Sequence, residues 1–317
     1  MPIEVREILA RVSSSPRYAE PVDLSKFAWL SIAAALATIG LKSWAAWTTG
    51  SVGLLSDALE SLVNLVAAVV ALFALKVSIK PPDDNHQFGH SKAEYFSAAV
   101  EGTMIFVAAM FIIYTGVERI ANPRMPERLG VGLAVSMVAS VINGVVGMVL
   151  LSQGRRRRSA TLVADGRHLL TDVVTSVAVL VGVGLVMVTG VQILDPVVAI
   201  LAGLNIIWIG YRLVHHSVEG LMDIALPPDV EAKIAEVLDR YRSTGDADFH
   251  AVRTRESGNH RFMEMHMLVP DEWTVKRGHD LAEDVIDALV LVEPDLRVSV
   301  HLEPKSDPKS YEDIDDV

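Results

Sequence analysis

The chain has 317 residues, 51% of them hydrophobic, and a formal net charge of -11; its mean hydropathy of +0.36 comes from apolar runs long enough to cross a bilayer, about 20 residues each. The acidic balance argues against nucleic acid as a partner and suits the attraction of cations. No Cys occurs, which excludes disulfides, thiolate metal ligands and thiol nucleophiles together.

In chain order, residues 1–26 lack an apolar core bounded by a cleavage site, so they read as a cytoplasmic segment and not a signal peptide. The ~20-residue rule then places six spans, at 27–49, 54–79, 95–120, 129–152, 160–189 and 193–221, giving a six-helix transmembrane domain over 27–222. An even number puts both termini on one side. The stretch GRRRRSA between spans four and five marks that side as the cytoplasm, against a sparser pair, Arg124 and Arg128, in the loop NPRMPER. The expected location is the cell inner (plasma) membrane, multi-pass. Gly144 and Gly147, and Gly182 and Gly184, suit close helix packing, while Trp44, Trp47 and Trp208 read as interfacial or packing residues.

Two spans carry polar side chains that a bilayer makes costly. In SDALESLVN, Glu60 and Asn64 are four apart; in ADGRHLLTD, His168 and Asp172 are four apart as well. That spacing puts each pair on one helix face. Two helices each giving two donors can enclose a tetrahedral site of imidazole nitrogen and oxygens, the number and type that Zn2+ accepts. The competing reading is a set of helix-to-helix hydrogen bonds. Asp57 and Asp165, one turn before each pair, read as supporting or structural residues.

Between spans two and three, IKPPDDNHQFGHSKAEYF gathers Asp83, His86 and His90 in one short loop, with Pro81 and Pro82 stiffening it and Gly89 allowing a turn. A second metal site and a solvated polar loop are both open there.

Beyond Asp223 the text becomes charged and alternating. Residues 223–305 read as a soluble α-β-β-α-β domain, a small sheet with helices on one face, and residues 306–317 as an acidic, flexible tail. On RFMEMHMLV, Met263, Met265 and Met267 share one face and pack in a core or dimer contact, while Glu264, His266 and Leu268 share the other. His250, His266, His279, His301 and Glu303 are scattered in sequence, and only a fold that brings them together makes a cluster.

The stretches TGSVGLLSDALESLVN, DDNHQFGHSKAE, ADGRHLLTD, RTRESG and VHLEP together resemble the cation diffusion facilitator family, of the bacterial zinc/iron-efflux type, over nearly the whole chain. The resemblance implies a homodimer of six-helix protomers that exports divalent metal in exchange for protons, with a ferredoxin-like cytoplasmic domain. It also implies a transport site of Glu60, Asn64, His168 and Asp172, a loop site of Asp83, His86 and His90, and a dimer-interface metal cluster of His250, His266, His279, His301 and Glu303. Lys92 and Asp223 match a charge pair that interlocks helices near the membrane surface in relatives. The chain departs from that family type at Glu60 and Asn64, where two Asp are usual. With two carboxylates the site is near neutral once a divalent ion binds, and an amide oxygen makes Mn2+ or Fe2+ more credible, although His168 keeps Zn2+ first; Cd2+ and Co2+ complete the candidate ions. A membrane metalloenzyme is disfavoured by the lack of an HExxH arrangement, and a metal sensor or scaffold that moves nothing remains the rival from another class.

Overall fold

The structure, a computed structural model, describes residues 22–49, 52–122, 129–191 and 193–316; the side chains at 46, 49, 52–60, 63, 129–133, 179, 180, 183, 184, 187, 195 and 313–316 lie outside that description. Two compact units divide at Met222 and Asp223.

The first unit is six long helices: α1 (Ser25–Thr49), α2 (Val52–Ser78), α3 (Ala93–Ala121), α4 (Leu129–Arg157), α5 (Ala160–Thr189) and α6 (Leu194–Leu221). Among the described residues, four stretches within them are long and apolar enough to cross a membrane: Ser25–Ala45, Ala93–Ala121, Ala134–Arg157 and Pro196–Leu221. The outward faces of the helices are apolar, with Trp47 of α1, Phe73 of α2 and Phe111 of α3 more than 65% exposed. Such a periphery is stable only against an apolar solvent.

Helix α3 packs on α6, α4 on α5 and α1 on α2. The α4–α5 crossing is close because Gly154, Gly147 and Gly166 present no side chain. A Cβ on Gly166 would lie 2.7 Å from the Leu151 nitrogen, and one on Gly154 would lie 2.7 Å from the Val163 nitrogen. Gly147 therefore packs as its sequence position suggests, whereas a Cβ at Gly144 would meet only Val173, at 3.6 Å.

Helix α5, which carries His168 and Asp172, is fixed at its start. Ser159 accepts a hydrogen bond from the Leu162 nitrogen at 3.3 Å as N-cap. The buried Glu94 of α3 in turn accepts from the Ser159 hydroxyl, from the Thr161 nitrogen at 3.4 Å and from Ser78 Oγ, at the end of α2, at 3.5 Å. A carboxylate at this helix N-terminus meets the exposed N–H groups and the positive end of the helix dipole. Gly190, at φ 74, closes the far end in the left-handed region.

The second unit contains α7 (Pro228–Arg242), β1 (Asp248–Ser257), β2 (His260–Val269), α8 (Val275–Val292), β3 (Leu296–Pro304) and a 3-10 helix (Pro308–Asp316). Pro228 occupies the first helical position of α7, where its missing N–H costs nothing. Gly258, at φ 59, makes the two-residue turn of the β1–β2 hairpin. The sheet order is β1-β2-β3, with β1 antiparallel and β3 parallel to the central β2. Met263, Met265 and Met267 are at most 1% exposed and form the core with Val230, Ile234 and Val237 of α7 and Val285 and Leu289 of α8. Each such side chain contributes about 1.5–3 kcal/mol on burial. Leu268, on the other face of β2, is buried too. Where the sequence reads as a flexible acidic tail, the 3-10 helix is anchored by the Tyr311 hydroxyl on the Lys305 carbonyl, at 2.8 Å, and by Ser310 Oγ on the Pro304 carbonyl, at 2.9 Å.

Candidate metal centres

Three polar side chains converge inside the helix bundle. His168 of α5 and Asn64 of α2 are buried, and Nε2 of His168 lies 2.8 Å from Oδ1 of Asn64. Nδ2 of Asn64 donates to Oδ2 of Asp172, one turn further along α5. The amide orientation fixes the imidazole, because a carboxylate and an amide oxygen only accept. Nε2 of His168 must therefore donate and carries a proton. Its other nitrogen, Nδ1, is buried without a hydrogen-bond partner among the described residues. Glu60, the fourth donor of the sequence reading, has a backbone in α2 and a side chain outside the described residues.

Asn143 of α4 also belongs here. It is buried and donates from Nδ2 to Oδ2 of Asp172 at 3.3 Å, while its own Oδ1 has no partner among the described residues. Sequence reasoning passes over it because it stands alone in its span. The available signal is that isolation, a single amide in a run of apolar residues. Asp165, one turn before His168, is buried and accepts from Ser31 of α1 at 3.0 Å, which ties α1 to α5. Glu101 of α3 is completely buried, accepts from Ser97 at 3.2 Å and is within electrostatic range of Asp165.

The loop after α2 gathers Asp83, His86 and His90. Asp83 Oδ1 is 3.2 Å from His86 Nδ1, Asp83 Oδ2 is 3.3 Å from His90 Nε2, and the two rings lie 4.5 Å apart. Gly89 takes φ 86, which the turn needs and a side chain resists. The His86 backbone N–H, 2.7 Å from Asp83 Oδ1, holds the Asp83 carboxyl below the usual aspartate range, with help from the Asn85 N–H. Asp83 and His86 are exposed, His90 is half-buried, and Nδ1 of His90 has no hydrogen-bond partner among the described residues.

In the second unit, strand register builds the third group. His250 pairs with His266, and His266 with His301, so three imidazoles stand in a row across β1, β2 and β3, with Glu303 two residues beyond His301. A register shift after His250, with Ala251 at φ 45, is a β-bulge that re-aims the edge strand beside the site. Glu303 approaches His250 at 2.9 Å, His266 at 3.3 Å and His301 at 3.6 Å. Tetrahedral Zn2+ with bonds of about 2.0 Å separates its ligand atoms by about 3.3 Å; atoms of His250, His266 and Glu303 all lie within 4.8 Å of one another and could share an ion, whereas His301 stands outside that group and reaches only Glu303. Nε2 of His250 and Oε2 of Glu303 make no hydrogen bond despite their separation, so their lone pairs are not occupied by each other. His279 is exposed on α8, and the single chain does not bring it to this cluster.

Lys92 donates to the Leu221 carbonyl at 3.1 Å, and Asp223 pairs with Arg255 at 3.1 Å, so each member of the expected charge pair has a partner within its own unit.

Residues 28–222 match the family model for the cation efflux transmembrane domain, and residues 226–305 match that for the cation efflux protein cytoplasmic domain. The chain is 48% identical over 290 residues to an uncharacterized transporter of Synechocystis sp., covering 92% of this chain and 93% of that one. It is 33% identical over 291 residues to the cation-efflux pump FieF of Serratia proteamaculans, covering 92% and 95%. Among solved structures, it is similar to the metal-bound C-terminal domain of the CzcD transporter from Thermotoga maritima, at 28% identity and a TM-score of 0.23, over 25% of this chain and 92% of that one.

Proposed function

The chain belongs to the cation efflux family, multi-pass membrane transporters with a cytoplasmic C-terminal domain and not enzymes, and from that premise we propose that it exports a divalent metal ion, Zn2+ first, in exchange for protons. The observation that carries the reading is the convergence of Asn64, His168 and Asp172 in the middle of the helix bundle. With Glu60 they form the transport site, and Asn143 holds Asp172 in place. In the metal-free arrangement Nε2 of His168 carries a proton, and an ion binding there shifts that proton to the free Nδ1 without net release; protons exchange with solution because His168 and a carboxylate take them up when the ion leaves. Metal and protons thus compete for the same lone pairs of His168 and a carboxylate, which is the coupling an antiporter needs. The mechanism extends to six membrane crossings, alternating access around the site, both termini in the cytoplasm and residence in the inner (plasma) membrane.

The cluster of His250, His266, His301 and Glu303 is proposed as a regulatory site. His279 joins it from the second copy of a homodimer, and bound metal biases the closed arrangement of the pair. Asp83, His86 and His90 form an exposed site suited to capturing ions before the transport site. The amide oxygen of Asn64 favours Fe2+ or Mn2+ as the alternative cargo.

The deciding experiment is metal flux into sealed proteoliposomes over Zn2+, Fe2+, Mn2+, Cd2+ and Co2+, with internal pH recorded. Uptake of metal with counterflow of protons is expected. Binding without flux would make the protein a sensor or scaffold.

A further inference from the structure

Between α5 and α6 the bundle opens a groove of about 210 Å³. One face of α5 contributes Arg167, Leu170, Thr171 and Val174, at helical spacing; α6 contributes Trp208 and Arg212. Two guanidinium groups thus enter one groove from two helices. Arg155 of α4 adds a third positive charge within electrostatic range of Arg167. In a chain with 39 acidic residues, none of these three arginines has an ion pair or side-chain hydrogen bond among the described residues. Where such a groove faces hydrocarbon instead of water, like charges beside apolar walls are relieved when an anion joins them. Trp208 is 58% exposed at the groove edge and stacks on Tyr211.

Depth supports a lipid as the source of that anion. Helix α5 has 30 residues and spans about 45 Å, against a hydrocarbon core of about 30 Å. Arg167 stands about 10 Å from the start of α5, and Arg212 about 14 Å from the end of α6. Both ends lie on the cytoplasmic side, because α6 leads into the cytoplasmic domain. Each arginine is therefore rooted about 3–7 Å below the headgroups, within snorkelling reach of phosphate.

We propose that this groove binds an anionic phospholipid of the cytoplasmic leaflet, with Arg167 and Arg212 clamping the phosphate and Leu170, Val174 and Trp208 receiving an acyl chain. Basic pockets between membrane helices on this side recognise such headgroups. Arg167 is the neighbour of His168 in sequence, so the lipid bridges the helix that carries two candidate metal ligands to the helix that leads to the cytoplasmic domain. The proposal is independent of which ion is transported.

The test is native mass spectrometry of the full-length protein from micelles supplemented with phosphatidylglycerol or phosphatidylcholine. Wild type should retain phosphatidylglycerol preferentially. The double variant Arg167→Gln/Arg212→Gln should lose at least about tenfold in retention, whereas Arg156→Gln and the double variant Arg167→Lys/Arg212→Lys should keep most of it. Equal retention by wild type and the Gln double variant overturns the proposal, as does displacement of the lipid by inorganic phosphate.

Discussion

Replacing Asn64 by Asp tests the intramembrane site most directly. In the native arrangement the Asn64 amide satisfies two neighbours of opposite need, accepting from His168 and donating to Asp172. The Asn64→Asp substitution removes the donor and turns a hydrogen bond into a contact between two carboxylates. Two unit charges about 3 Å apart repel by about 5–6 kcal/mol at an effective dielectric of about 20, equivalent to roughly four powers of ten in an equilibrium constant. The metal-free variant relieves that repulsion by sharing a proton between the two oxygens. A divalent ion relieves it as well and expels the proton. The slope of log affinity against pH should therefore steepen by about one proton per ion, with stronger Zn2+ binding at high pH and the gain lost as pH falls. Isothermal titration of Zn2+ into both purified proteins, in buffers spanning about pH 6 to 8 and differing in ionisation enthalpy, reads the proton count. Parallel curves from two folded proteins would refute the placement of Asn64 at the ion.

Three further outcomes follow from other parts of the chain. Glu303→Gln should weaken metal binding at the cytoplasmic cluster by at least about tenfold, because one carboxylate faces three imidazoles there; equilibrium dialysis of wild type against the variant measures it, with unaltered transport-site affinity as the control. The Asp83 carboxyl is held low by the His86 N–H, so the loop is stabilised above the unfolded aspartate range and loses that contribution as pH falls through the lower folded value; protection of the His86 amide from hydrogen exchange, relative to its intrinsic rate, should fall over that acid window, and Asp83→Asn should remove the dependence. Gly166→Ala should destabilise the bundle by about 1–3 kcal/mol, since its Cβ meets the Leu151 backbone, whereas Gly40→Ala, with nothing within 4 Å among the described residues, should be neutral or stabilising by up to about 1 kcal/mol; thermal unfolding in detergent compares them.

Local periodicity carries much of this structure. The four-residue spacing puts His168 and Asp172 on one face of α5, and that face does meet Asn64. The alternation of Met263, Met265 and Met267 marks the core side of β2. What periodicity cannot carry is register between strands. The row of His250, His266 and His301 depends on pairings set partly by the bulge at Ala251, and no local spacing encodes it. Asn143 and Glu101 are likewise illegible in function, since each meets its partners only after helices far apart in sequence pack together. His279 shows the complementary limit: its place in the sequence joins it to the other histidines, yet in the single chain it is exposed on α8 and outside their cluster.

The Glu94 clamp restricts how α5 can move. A helix whose first turn is bonded to α2 and α3 through one carboxylate cannot slide along its axis without breaking several buried contacts at once. It can tilt about that end as a lever. His168 and Asp172 lie about 10 and 16 Å from the anchored turn, and the far end at Thr189 about 42 Å from it. A rotation of about 10° then displaces the ligand side chains by only about 2–3 Å and the distal end by about 7 Å. The short arm keeps His168 and Asp172 near Asn64 while the long arm carries the far end of α5 several times further, so one carboxylate at the start of the helix makes the Thr189 end the part that moves most.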